Sequence, residues 1–350
     1  MKLEECLRQI KPIDQEAALL CEQRWDSIAK PLKSLGKLEE ALIQIAGIQQ
    51  TSQVHLRKKA LVVMCADNGV VEEGVTQAGQ EVTAIVAGNF LDGKSCAALL
   101  CQDTGTDLFP IDIGMAADIT GVSNRKIAYG TKNITREPAM TRQQAVLAIE
   151  VGISVVKELA QQGYDVIATG EMGIGNTTTS SAVASLLLGK PPEQVTGRGA
   201  GLSTEGLRRK IEVIKSAIAK HCPDERDPID VLSKVGGFDI AGLTGVFLGG
   251  AVLGIPVVID GFISGVAALA AVRICPLAAD YILASHVSKE PAGGMVLDAL
   301  GKSACLACDM CLGEGTGAVA LFPLLEMGLH IYENMSTFSQ IEIENYVPLE

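Results

Sequence analysis

A lone acidic residue set between glycines, in Gly313-Glu314-Gly315-Thr316-Gly317-Ala318, is the segment of this sequence best suited to proton transfer. Little charge surrounds it, so the Glu314 carboxylate is placed to lose solvent, and a desolvated carboxylate has its pKa raised toward the range useful for a base. Apolar stretches flank it, the preceding one read as a helix. A helix C-cap followed by a turn therefore accounts for the same residues.

Two glycine-rich segments suit an anion. Gly170-Glu171-Met172-Gly173-Ile174-Gly175-Asn176-Thr177-Thr178 follows an apolar run and leads into Ser180-Ser181-Ala182. Glycines let backbone N–H groups approach a phosphate, Asn and Thr add donors, and a helix N-terminus favours negative charge. An ordinary Thr/Ser helix cap uses the same residues. The second, Gly197-Arg198-Gly199-Ala200-Gly201-Leu202-Ser203, opens a helix bearing Arg208, Arg209 and Lys210. Two such loops, with cations a turn or two into the second helix, read as a divided sugar-phosphate site.

Three other patterns compete. Gly88-Asn89-Phe90-Leu91-Asp92-Gly93-Lys94-Ser95 satisfies the Walker A spacing, which would mean nucleotide hydrolysis through Lys94 and Ser95. The residues before it, Glu81 onward, are apolar at helical spacing, and a phosphate loop should leave a strand, not sit in a helix. Cys305, Cys308 and Cys311 form C-x2-C-x2-C, part of an iron–sulfur ligand run whose fourth local Cys is missing. We read them as small residues on one helix face, packed in the core. His55, His221, His286 and His330 are scattered, so no metal and no cofactor are expected.

The elements that must carry these residues are strands alternating with helices. Ala60-Leu61-Val62-Val63-Met64-Cys65-Ala66 is a continuous apolar run of the kind found in strands buried on both faces, and it ends at Asp67-Asn68-Gly69. Similar runs lie at 107–114, 165–170, 256–261 and 281–286, with helical stretches at 142–162 and 203–221 between them. The spacing predicts an α/β fold with a mostly parallel sheet and flanking helices, its ligands held beyond the carboxyl ends of the strands. Residues 1–56 show helical periodicity throughout.

Composition sets bounds. The chain has 350 residues, enough for a full core, with 48% hydrophobic and 20% charged residues. A formal net charge of −12 argues against nucleic-acid binding, which draws on clustered Lys and Arg. The apolar stretch at 240–272 is broken by glycines, Pro256 and Asp260 and reads as buried core, so no membrane association is expected. Ten cysteines and a polar, acidic start suggest free thiols in the cytoplasm.

Taken in order, the motifs resemble those of the nicotinate-nucleotide:dimethylbenzimidazole phosphoribosyltransferases. The resemblance runs through Ala66-Asp67-Asn68-Gly69-Val70, Glu73-Gly74-Val75, the two glycine loops, Val235-Gly236-Gly237-Phe238-Asp239, Ile259-Asp260-Gly261-Phe262, Ser285-His286, Glu290-Pro291 and Gly313-Glu314-Gly315-Thr316-Gly317. It implies a Rossmann-like large domain at 57–324, a small helical domain from 1–56 with 325–350, and a homodimer. The implied reaction joins nicotinate mononucleotide to 5,6-dimethylbenzimidazole, giving α-ribazole 5′-phosphate and nicotinate with inversion at the anomeric carbon. Because nicotinate leaves as a neutral pyridine, the donor carries its own electron sink. The family's catalytic glutamate falls on Glu314 and its second acidic residue on Glu171. Its phosphate-contacting lysine falls on Lys210, with Gly173, Gly175, Asn176, Thr177, Gly199, Gly201, Ser288, Leu312 and Gly313 contributing to substrate binding. The base pocket is expected around Val75, Thr76, Gln77, Gln80 and Ile85. Cys311 departs from the pattern, standing where many relatives have a basic residue.

Overall fold

The apolar run after Lys58 forms the central strand of a six-stranded parallel sheet in a computed structural model that describes residues 1–347. The strands are β1 (Lys59–Ala66), β2 (Thr106–Gly114), β3 (Ser123–Asn124), β4 (Val166–Met172), β5 (Val257–Ile259) and β6 (Ile282–Ala284). They lie in the order β3-β2-β1-β4-β5-β6, every neighbouring pair parallel. The helices are α1 (Leu3–Gln9), α2 (Gln15–Ser27), α3 (Lys37–Gln49), α4 (Glu81–Leu91), α5 (Cys96–Thr104), α6 (Arg142–Gln161) and α7 (Asn176–Leu188). Beyond them come α8 (Pro192–Val195), α9 (Thr204–His221), α10 (Pro228–Val235), α11 (Phe238–Leu253), α12 (Phe262–Ile274), α13 (Gly293–Ala299) and α14 (Thr316–Asn334).

Burial on both faces explains why β1 is apolar without alternation. Ala60, Val62, Met64 and Ala66 face a core shared with α1, α6, α7, α11 and α12, whereas Leu61, Val63 and Cys65 face a second core. That second core is built with Trp25 of α2, Leu42 and Ile45 of α3, Ala97 of α5 and Phe322 of α14. Helices α2, α3 and α14, from the two chain ends, thus pack on one sheet face, whereas α1 packs on the other. There, α11 crosses α6 so closely that a Cβ on Gly245 would lie 1.9 Å from the Ile149 carbonyl oxygen. Backbone cannot yield as a flexible side chain does. Gly245→Ala is therefore expected to destabilise the protein by about 2–3 kcal/mol, read from the midpoint of chemical denaturation; an unchanged midpoint would contradict this crossing.

Several local expectations are corrected. Residues 50–56 are not helical, and β5 and β6 keep only three residues each of the longer apolar runs. The segment before Gly313 is a loop, not a helix. Gly301, at φ +63°, lies just past α13, and the chain then runs beside 285–289. Leu306 N donates to Ser285 O at 2.9 Å and Lys289 N to Met310 O at 3.2 Å, which satisfies a backbone that a helix would otherwise pair. Cys305 is consequently half-buried and Cys308 and Cys311 are exposed, so the three do not pack as one core face. Among the described residues, no three His, Cys, Asp or Glu side chains converge as a metal-binding group. The Walker-like residues divide as their periodicity indicated: Gly88 to Leu91 close α4, and Ser95 caps α5, accepting from Ala98 N at 3.0 Å.

Candidate active site

The strand order reverses between β1 and β4, and crevices at such switch points receive ligands. A cavity of about 320 Å³ opens there, at the carboxyl ends of β4, β5 and β6. Its wall includes Glu171, Gly173, Asn176, Thr177, Gly199, Ser288, Leu312, Gly313 and Glu314, so nine of the sequence-derived candidates come together.

One end is built for an anion. After β4 the chain turns through Gly175, at φ +94°, and enters α7, whose N-terminus has no side-chain cap. Uncapped N–H groups at a helix start attract negative charge. Gly199, at φ +53°, packs against Thr177, where its missing Cβ would lie 2.8 Å from Oγ1. Behind Thr177 stands Lys210, 0% exposed, whose Nζ donates to Thr177 Oγ1 at 2.8 Å and Gly197 O at 3.2 Å. Burial pushes its pKa down to about 8, partly offset by Glu290. Its helix neighbours Arg208 and Arg209 are exposed.

The other end gathers carboxyl groups. Glu171 at the end of β4 is 8% exposed; burial, then the Asp239 charge, pushes its pKa up to about 8, although Asn176 Nδ2 donates to Oε2. The same amide donates to Asp239 Oδ2 at 3.1 Å. Asp239 in the first turn of α11 is itself raised to about 7 by burial. Glu314 is half-buried, and burial raises its pKa. The first turn of α5 answers it, since Ala97 N donates to Glu314 Oε2 at 3.4 Å.

The turn holding Glu314 is unusual in its backbone. Gly313, Glu314 and Gly315 have φ of +90°, +61° and +91°, three left-handed residues in succession. Glycine adopts this region freely, whereas a residue with a Cβ is held there only by its surroundings. Asp260, just past β5, supplies the hold. Its Oδ2 accepts from Gly315 N at 3.0 Å, and its Oδ1 from Gly317 N at 2.7 Å and Ala318 N at 3.2 Å. Asp260 thus caps α14, and burial raises its own pKa. Sequence reading placed Asp260 at a strand end without a role. The cue lay in that position, together with glycines 55 and 57 residues later that expose their N–H groups.

The remaining candidates lie off the cavity wall. Gly175 shapes the turn, and Gly201 accepts from Gln77 Nε2, which ties the second loop to the segment before α4. Val75 is 1% exposed in the core, and Gln80 Nε2 donates to Asn68 O at 3.2 Å. Ile85 faces solvent; the α4 side chain on the wall is its neighbour Val86. Of α4, the cavity wall thus takes Val86 and not Ile85, with Met172, Ile174 and Leu312 as further apolar wall. Cys311 also lines the cavity, at its exposed rim.

Known proteins carry the same architecture. A family model described as "Phosphoribosyltransferase" matches residues 10–343. The nicotinate-nucleotide–dimethylbenzimidazole phosphoribosyltransferase of Ruminiclostridium cellulolyticum is 49% identical, over 100% of both chains. The protein of that name from Acetivibrio thermocellus is 48% identical over 98% of this chain and 99% of its own. Among solved structures, CobT from Thermus thermophilus superposes with a TM-score of 0.89 at 37% identity, covering 95% of this chain and 100% of that one. With the anion end, the carboxyl end and these full-length matches in agreement, the chain belongs to the nicotinate-nucleotide:dimethylbenzimidazole phosphoribosyltransferase family.

Proposed function

We propose that this protein transfers the phosphoribosyl group of nicotinate mononucleotide to 5,6-dimethylbenzimidazole or a related base, in the assembly of the cobalamin lower ligand. The carrying observation is one cavity with Lys210 buried behind one end and desolvated carboxyl groups at the other. The 5′-phosphate occupies the α7 N-terminus with Thr177, Gly199 and Ser288, backed by the Lys210 ammonium. One nitrogen of the base attacks the anomeric carbon opposite the nicotinate, forming a C–N bond as the bond to nicotinate breaks and inverting that carbon. The electron pair of the broken bond neutralises the pyridinium, and the proton on the other benzimidazole nitrogen passes to Glu314. Glu171, nearly buried with its pKa pushed up to about 8, keeps its proton at neutral pH, which favours the less buried Glu314 as the proton acceptor.

Incubation with nicotinate mononucleotide and dimethylbenzimidazole, in EDTA, should yield equal amounts of nicotinate and α-ribazole 5′-phosphate by chromatography. No release of nicotinate would defeat the reading. Lys210→Met should raise KM for nicotinate mononucleotide roughly 10- to 100-fold, as expected when the buried cation that orients Thr177 behind the phosphate is lost. Stability should hold in that variant, because the buried ammonium no longer has to be desolvated; a donor titration showing unchanged KM would remove Lys210 from the phosphate site.

A homodimer is our reading of the assembly, supported by exposed Ile85, Leu91 and Leu99 on α4 and α5. Ten free thiols support a reducing, cytoplasmic setting. We also read the helices of both chain ends as a small domain against a larger one at 57–324; positions 348–350 of that small domain lie outside the described residues.

A further inference from the structure

Beside Ser288 the cavity wall holds a polar notch whose other side, His286, neither proton transfer nor phosphate binding uses. His286, just past β6, is 4% exposed, and its Nδ1 lies 3.0 Å from Ser285 Oγ. The Ser285 hydroxyl has a single proton, directed to the Ile259 carbonyl 2.6 Å away, so the imidazole must be the donor in the contact between Nδ1 and Oγ. Nε2 is then the bare nitrogen, a hydrogen-bond acceptor. It has no partner among the described residues, and the neighbouring Asp260 carboxylate is occupied by the N–H groups of Gly315, Gly317 and Ala318. Burial holds the imidazole below its ordinary pKa of 6.5, partly offset by Asp260, and so keeps the ring neutral. Gly261 forms the floor. A Cβ there would lie 3.7 Å from Ser288 Oγ and 3.8 Å from His286 Nε2, so the glycine leaves the space between these two polar atoms open.

Once substrate displaces water from the cavity, an acceptor in this place is matched only by a donor from the substrates. The phosphate and the nicotinate carboxylate have none when ionised, and the N–H of the base is taken by Glu314. The ribosyl hydroxyls remain. We propose that His286 Nε2 accepts a hydrogen bond from a ribosyl hydroxyl seated in the Gly261 notch, which makes the site select ribosyl over deoxyribosyl donors. This rests on the phosphoribosyl-transfer reading above. His286 is then a specificity-determining residue for the donor sugar.

The test compares kcat/KM for nicotinate mononucleotide with that for its 2′-deoxy and 3′-deoxy analogues, in the unmodified protein, His286→Gln and His286→Leu. The unmodified protein should use one of the two analogues about 10- to 100-fold less well, as expected for a buried acceptor left unpaired. His286→Gln, whose amide oxygen can stand near the place of Nε2, should keep that preference. His286→Leu should lose it through slower use of the parent donor, an outcome that simple loss of packing does not produce. Equal use of all three donors by the unmodified protein overturns the proposal, as does an undiminished preference in His286→Leu. Should the leucine variant fail to fold, the unmodified protein and a preference lost in the glutamine variant decide against it equally well. If the unmodified protein releases nicotinate from none of the donors, the phosphoribosyl-transfer reading has failed and takes this inference with it.

Discussion

Glu314→Gln is expected to lower kcat about 10²- to 10⁴-fold while leaving KM for nicotinate mononucleotide nearly unchanged. The amide keeps the side chain's size and can still accept from Ala97 N, so the turn and the cavity wall persist. In the proposed mechanism, what disappears is the acceptor of the benzimidazole proton. The pH dependence separates this from a packing defect. Burial raises the Glu314 pKa above its ordinary 4.5, and the base form is the ionised one, so activity should fall as pH drops through that raised value. The acid limb should vanish in the glutamine variant. A rate within a few-fold of the parent, or an acid limb that survives the substitution, would remove Glu314 from the chemistry.

Asp260→Ala should cost about 3–5 kcal/mol of stability and abolish turnover, a magnitude typical of breaking a buried charged network. Three N–H groups at the start of α14 would lose their acceptor at once, and buried donors left unpaired are destabilising. Activity goes with stability here because those N–H groups belong to the turn that forces Glu314 into the left-handed region. Asp260→Asn should fall between, since one oxygen still accepts while the amide NH₂ opposes an N–H donor. Chemical denaturation reads the first effect and nicotinate release the second. An alanine variant as stable as the parent would mean that the turn holds its shape without this cap.

These effects show which features a sequence can disclose. The strands were legible where burial on both faces made them continuous apolar runs, as at β1. The two glycine loops and the glycine-flanked glutamate were legible because backbone conformation demands glycine there. Lys210 was legible only as one cation among three, because its complete burial depends on α9 packing over Thr177, a tertiary fact. Asp260 and His286 stood at the ends of apolar runs, where convergence on a crevice was expected. The contacts that fix Asp260, however, join residues 55 to 58 positions apart, and Ser285, which holds the His286 ring, bonds 26 positions away; only the sheet brings those together. The loop before Gly313 was misread as a helix because cysteine spacing imitates helical periodicity, whereas pairing with 285–289 decides its conformation. Which α4 side chain reaches the cavity was not legible, because helix phase sets which one faces inward, and α4 presents Val86 instead of Ile85.

The shared core beneath α14 has a consequence for synthesis. Leu61, Val63 and Cys65 of the central strand are covered by residues from α2, α3 and α5 together with Val319 and Phe322 of α14. During translation the first of these emerge early, and α14 follows some 250 residues after β1. For that interval one apolar face of the sheet lacks part of its cover, so the nascent chain presents an aggregation-prone surface until α14 has left the ribosome and docked.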